Sequence, residues 1–295
     1  MNVQNLRIGG AVVFWRLAPF SDRKKVAEGL TALGMEKFVP EERTLLSCLR
    51  GALAETFQPV EKGTRYVVRP VKNGSPGFAV VEEQPRKEFE DGDDWGKVVA
   101  VAKLDEKCGT LSISPPERYG EVWDKMRKAR EFLPLATVSK LLVDVIEHLG
   151  GVSLRDSGGV YWLNDDVLDD WTPVADLMEA AALPGGPECH VSALRVVADE
   201  QMVRAVGDAL TSEITTALSA IENELTDGDI TERVCESRLA RLAKLSAKVR
   251  RYADAFGQPM TMLTDAIQRA GAATAMATIN ASAAGGPSLF DSLTE

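Results

Sequence analysis

The chain has 295 residues, 45% of them apolar and 26% charged, the composition of an ordinary globular protein with one or two domains. Net charge is −10, and it is unevenly spread: residues 1–150 sum to +1 and residues 151–295 to −11. That acidic half disfavours nonspecific binding to nucleic acid or to anionic membranes, which needs clustered positive charge, and no run of 18 apolar residues is present to cross a bilayer.

Leu6–Ala18 is apolar and rich in β-formers, and reads as a strand with an irregularity at Gly9 and Gly10. Met1–Phe14 lacks the long apolar core of a secretory leader, so none is expected. Ser21 offers an N-cap to a helix whose face is Val26, Leu30 and Leu33, ending at Gly34. Pro40-Glu41-Glu42 opens a second helix through Phe57, with Leu45, Leu46, Leu49, Leu53 and Phe57 as its buried side. From Thr64 to Ser114 the period changes to two. Arg65–Val71 and Phe78–Glu82 flank a turn at Asn73–Gly77, Gln84–Asp94 is a polar loop, and Lys97–Leu104 and Thr110–Ser114 form a second hairpin.

Glu117–Phe132 and Leu135–Leu149 are expected helices, the second stopped by Gly150-Gly151. Val152–Arg155 and Val160–Leu163 flank a tight turn at Asp156–Gly159. Thr172-Pro173 is expected to start a helix reaching Ala182, and Cys189–Val197 is expected to be a strand pairing with the hairpin.

Residues 199–256 are the most regular part of the chain. Val203, Val206, Leu210, Ile214, Ala217, Ile221 and Leu225 step by threes and fours, as do Leu239, Leu242, Leu245, Val249, Tyr252 and Phe256 after the turn at 226–229. Two such stripes joined by a short polar turn bury each other as an antiparallel helical hairpin. Asp229 and Glu232 suit a capping box for its second helix. A third, Ala-rich helix runs from Met262 to about Ile279, and residues 280–295 read as a flexible tail with a short apolar end, Ser288–Leu293.

The expected architecture is α+β: an N-terminal antiparallel sheet with flanking helices, and a mainly helical C-terminal half with the long helical hairpin. The segments are 1–114, an α+β domain; 115–198, helices with a wing-like hairpin; 199–279, the helical hairpin and third helix; and 280–295, the tail.

Motifs that carry chemistry are sparse. Asp165, Asp166, Asp169 and Asp170 have the i, i+4 spacing with which carboxylates share a hard cation, but no glycine sits where a calcium loop needs it, and a solvated acidic turn before Thr172 fits better. Cys189-His190 is half of a zinc site with no second pair at a matching distance. Asp105-Glu106-Lys107, with Asp91, Asp93 and Asp94 upstream, has the residue types of a metal-dependent nuclease, yet reads better as a hairpin turn. No metal or cofactor is therefore expected. The four cysteines are scattered, as suits reduced thiols in a cytoplasm.

The functional expectation is a non-enzymatic cytoplasmic interaction or assembly protein. It associates with a protein partner or with itself through the helical seam of Val206, Leu210, Ile214, Ile221, Leu242, Leu245, Val249 and Tyr252. The alternative is a nucleic-acid-associated regulator. That reading uses Arg155 on the hairpin and the stripe Arg241, Lys244, Lys248 and Arg251 as polyanion contacts. The stretch Leu154-Arg155-Asp156-Ser157-Gly158-Gly159-Val160-Tyr161-Trp162, with the opening Gly10–Trp15, resembles uncharacterised proteins of bacteria and their phages. That resemblance implies no activity.

Overall fold

A computed structural model describes residues 8–59, 65–71, 76–83, 96–105, 108–155, 159–227, 231–257 and 259–284. The architecture is α+β. Two compact units are built from interleaved stretches of chain: one from residues 1–15, 143–175 and 191–295, the other from 16–142 and 176–190.

In the second unit, strands β3 (Arg65–Pro70), β4 (Gly77–Glu83), β5 (Lys97–Asp105) and β6 (Thr110–Ser114) form an antiparallel meander in chain order. Its buried face, Val80, Ala100, Ala102, Leu104 and Leu111, meets α2 (Leu45–Thr56) and α3 (Tyr119–Glu131) through Cys48, Leu49, Leu53, Val122 and Met126. Helix α2 starts at Leu45 rather than at Pro40. The hydroxyl oxygen of Thr44 accepts from the Ser47 N–H at 3.1 Å, and this cap decides the start. Helix α1 (Arg23–Ala32) is likewise capped by Asp22, whose carboxylate accepts from the Lys25 N–H, and not by Ser21. Ser21 lies instead in β2 (Phe20–Asp22), paired with β7 (Phe132–Pro134). Asn73, Gly74 and Ser75 of the expected turn and the whole 84–94 loop fall outside the described residues.

The first unit is built on a sheet in the order β10 (His190–Val197), β1 (Ile8–Arg16), β9 (Val160–Asn164), β8 (Val152–Ser153). Strand β1 runs antiparallel to β9, with Gly10 opposite Asn164 and Phe14 opposite Val160. A Cβ on Gly10 would lie 2.2 Å from the Leu163 carbonyl oxygen, so glycine is what lets the strands approach there. Strand β10 neighbours β1 and not the β8–β9 hairpin, because β1 already occupies the hairpin's free edge.

Helix α4 (Leu135–His148) ends in a Schellman motif. Gly150 is left-handed at φ +79°, its N–H donates to the Glu147 carbonyl, and the Gly151 N–H donates to the Ile146 carbonyl at 2.8 Å. Helix α5 (Leu168–Ala181) begins four residues before Thr172 and carries Pro173 inside it. The Thr172 hydroxyl donates back to the Leu168 carbonyl at 2.8 Å, and Asp169 and Asp170 sit in the first turn, where the helix dipole favours them.

Three long helices complete this unit: α6 (Glu200–Asp227), α7 (Glu232–Phe256) and α8 (Thr261–Ala284). Arg238 donates to Glu224, and Lys248 pairs with Glu213. As one partner advances along α7 the other retreats along α6, so the two helices are antiparallel. Thr231 stands at the N-cap of α7 without a side-chain bond, and Asp229 lies outside the described residues. Helix α8 extends five residues beyond the expected Ile279 and packs more closely on α7 than α6 does. Ala270, 3% exposed on α8, packs in the same cluster as Leu242, Leu245 and Val249 of α7.

Candidate functional site

The eight seam residues lie in a single cluster. Val206, Leu210, Ile214, Ile221, Leu242, Leu245, Val249 and Tyr252 are between 0% and 9% exposed, and they pack with Val152, Trp162, Ile267 and Ala270 of the same chain. The apolar stripe that the sequence offers to a partner is therefore consumed within the subunit: α8 and strand β8 cover what α6 and α7 do not cover in each other. Leu239 departs from the stripe and is 37% exposed. Met202, Leu218 and Cys235 join the buried set and were not singled out by the periodicity.

The basic stripe divides. Lys248 Nζ donates to the Gly151 carbonyl at 2.6 Å, Arg251 Nη1 to the Leu149 carbonyl at 2.6 Å, and the Tyr252 hydroxyl to the Gly150 carbonyl at 3.1 Å. Three side chains from one turn of α7 thus take the three consecutive carbonyls that follow α4. Two of them bring positive charge to the negative end of that helix's dipole. Burial, with help from the Glu213 carboxylate, pushes the Tyr252 hydroxyl well above the usual tyrosine range; Arg251 opposes this and Asp166 adds to it. Lys248 and Arg251 are structural here. Arg241 and Lys244 are exposed on α7, and Arg155 is exposed at the base of the hairpin, whose tip at 156–158 lies outside the described residues.

One cleft stands out in this unit, with a volume of about 940 Å³. Its walls are the end of β9 with the turn after it (Asn164, Asp165, Asp166), the start of α6 (Asp199, Glu200, Met202, Val203), and the last turns of α7 (Arg250, Arg251, Asp254, Phe256). Asp199 caps α6, accepting from the Met202 N–H at 2.7 Å. Phe256 stands edge-on to Tyr252 with ring centroids 5.6 Å apart. Asp165 and Asp166 belong to the acidic run noted in the sequence; Asp169 and Asp170 do not line the cleft. Among the described residues, no three His, Cys, Asp or Glu side chains converge as a metal-holding group. Cys189 and His190 are separately engaged: the thiol donates to the Met178 carbonyl at 3.8 Å, and the imidazole lies 3.1 Å from Glu188.

A family model matches residues 8–284, from the first residue of β1 to the last of α8. The chain belongs to DUF6744, a family of unknown function. No curated protein and no solved structure matches it. In this DUF6744 member the Schellman motif, the α7 clasp and the cleft all fall within the matched span. Periodicity led to the seam, whereas the cleft is assembled from β1, β9, α6 and α7 and has no signature in any one stretch.

Proposed function

We propose that this DUF6744 protein acts by protein–protein association, without chemistry of its own, and that it pairs with a second copy of itself through the outward face of α8. The observation that carries this reading is the exposure of that face: Met262 is 85% exposed, Met276 66% and Ile279 65%. Ala272, Ala273 and Ala275 are exposed beside them, so the outward positions from 270 to 279 carry no charge. An apolar row of this length left in water is a site of association, and its small residues permit close helix pairing.

A second copy fits because the row is its own electrostatic complement. Asp265 and Arg269 are both exposed and one turn apart. An antiparallel two-fold sets Asp265 of each copy against Arg269 of the other and Met262 against Ala272, a closed, isologous contact in which Met276 and Ile279 reach past the start of the partner's α8 to the end of its α7. The same proposal places the protein in the cytoplasm of bacteria or in their phages. Four unpaired thiols, at Cys48, Cys108, Cys189 and Cys235, support a reducing compartment, and the resemblance of the 154–162 stretch supports the source.

A charge-swap series tests the pairing. Asp265→Arg and Arg269→Asp should each weaken self-association, and the double variant should restore it, as read by sedimentation velocity. Equal sedimentation of all four proteins would reject the two-fold.

A further inference from the structure

The methionines of the described residues divide sharply by exposure. Met126, Met178 and Met202 are 3%, 0% and 8% exposed, and Met35 and Met260 are half-buried. Met262 and Met276 are the exposed ones among the described residues, and both stand on the outward face of α8, about four turns apart. Around them that face carries Ala272, Ala273, Ala275 and Ile279 with the charged pair Asp265 and Arg269. The two thioethers and Ile279 therefore supply most of the apolar bulk of the row.

A thioether in water is open to peroxides. The sulfur lone pair attacks one peroxide oxygen, the O–O bond breaks, an S–O bond forms and water leaves; sulfur gives up two electrons and the peroxide takes them. The product is a sulfoxide, which is polar and accepts hydrogen bonds. In the single copy each sulfoxide faces water at little cost. In the two-fold pair Met262 lies against the partner's Ala272, whose methyl group has no proton to donate, and a buried acceptor without a donor is costly. Oxidation at these positions thus acts against the paired state and not against the fold, whose core methionines are closed to solvent.

We infer that Met262 and Met276 are an oxidation site that controls self-association: peroxide converts the two exposed thioethers to sulfoxides, and the copies separate. This rests on the α8 pairing proposed above and adds its regulation. The same linkage runs in reverse, because pairing covers Met262 and so slows its oxidation.

The test uses the full-length protein carrying Cys108→Ser, which removes an exposed thiol as a second target for peroxide. Hydrogen peroxide is added, mass spectrometry of tryptic peptides locates the added oxygen, and sedimentation velocity reads the association. Sulfoxide should form at Met262 and Met276 ahead of Met126, Met178 and Met202, with helical ellipticity unchanged. Self-association should weaken by about tenfold or more, the effect of burying an unpaired polar group. The rate of oxidation at Met262 should fall as the protein concentration rises through the range in which the mass doubles. Met262→Leu/Met276→Leu keeps the row apolar and removes both sulfurs; it should pair as the parent does and hold its mass in peroxide. Two sulfoxides on a protein that still pairs overturn the inference and leave the α8 pairing standing. An equal loss of mass in the leucine variant also overturns it, since the sensitive group then lies elsewhere. A parent protein that is monomeric before peroxide is added removes the pairing itself, and this inference with it.

Discussion

Leu210 offers the sharpest test of where the helical seam lies. Its side chain is fully buried among residues of its own chain. Truncation to alanine removes three carbon groups, about 2–3 kcal/mol of transfer free energy at roughly 0.8 kcal/mol per methylene. The cavity term raises the total to about 3–4 kcal/mol, within the usual range for buried leucines. Urea unfolding followed by tryptophan fluorescence reads this unit through Trp162, which is 1% exposed in the same cluster. With a denaturant slope of about 2 kcal/mol per molar, the midpoint of that transition should fall by about 1.5–2 M. Met276→Ala, on the exposed row of α8, should shift it by less than about 0.3 M at concentrations where the chain is monomeric, since the side chain is then largely in water. If Leu210→Ala lowers the particle mass while leaving the midpoint in place, the seam lies between subunits and the reasoning fails.

Gly150→Ala should cost about 1 kcal/mol or more. The position needs φ +79°, and a Cβ there would sit 2.9 Å from Arg251 Nη1; calorimetry showing an unchanged or higher Tm would contradict this. The raised Tyr252 hydroxyl means that the folded protein holds the neutral phenol while the unfolded chain ionises near the ordinary value of about 10. Its contribution is therefore complete below that pH and is lost as the pH rises beyond it. Alkaline titration should show one phenolate signal appearing together with loss of helical ellipticity, and Tyr252→Phe should uncouple the two. At neutral pH a chromogenic disulfide reagent should modify the exposed Cys108 at once, while buried Cys48, whose thiol burial pushes upward, and buried Cys235 react only on unfolding. Rapid modification of all four thiols in the native protein would refute the placement of Cys48 and Cys235.

Much of the helical half was legible because the burial of a long helix repeats every three or four residues. The spacing of Val206, Leu210, Ile214 and Ile221 therefore shows in the sequence alone. What covers such a stripe is not periodic. The closure by α8 and β8 follows from close approach over Ala270 and Val152, residues too small or too distant in sequence to signal it. The helix starts at Thr44 and Asp22 turned on single side-chain hydrogen bonds, which neighbouring candidates such as Pro40 and Ser21 imitate in sequence. The basic stripe was legible as charge but not as function, because Lys248 and Arg251 find carbonyls about a hundred residues away. Asn164 gave no sequence signal at all: its amide becomes an orphan only when Trp162 claims the oxygen.

Light scattering coupled to size exclusion, across a wide range of concentration, tests the proposed association most directly. The wild-type chain, 31.9 kDa as a monomer, should approach twice that mass as concentration rises, and Met262→Glu/Met276→Glu should hold it at the monomer value with its helical content intact. A wild-type protein that stays monomeric at the highest concentration, or a double variant that still doubles its mass, would contradict pairing through α8.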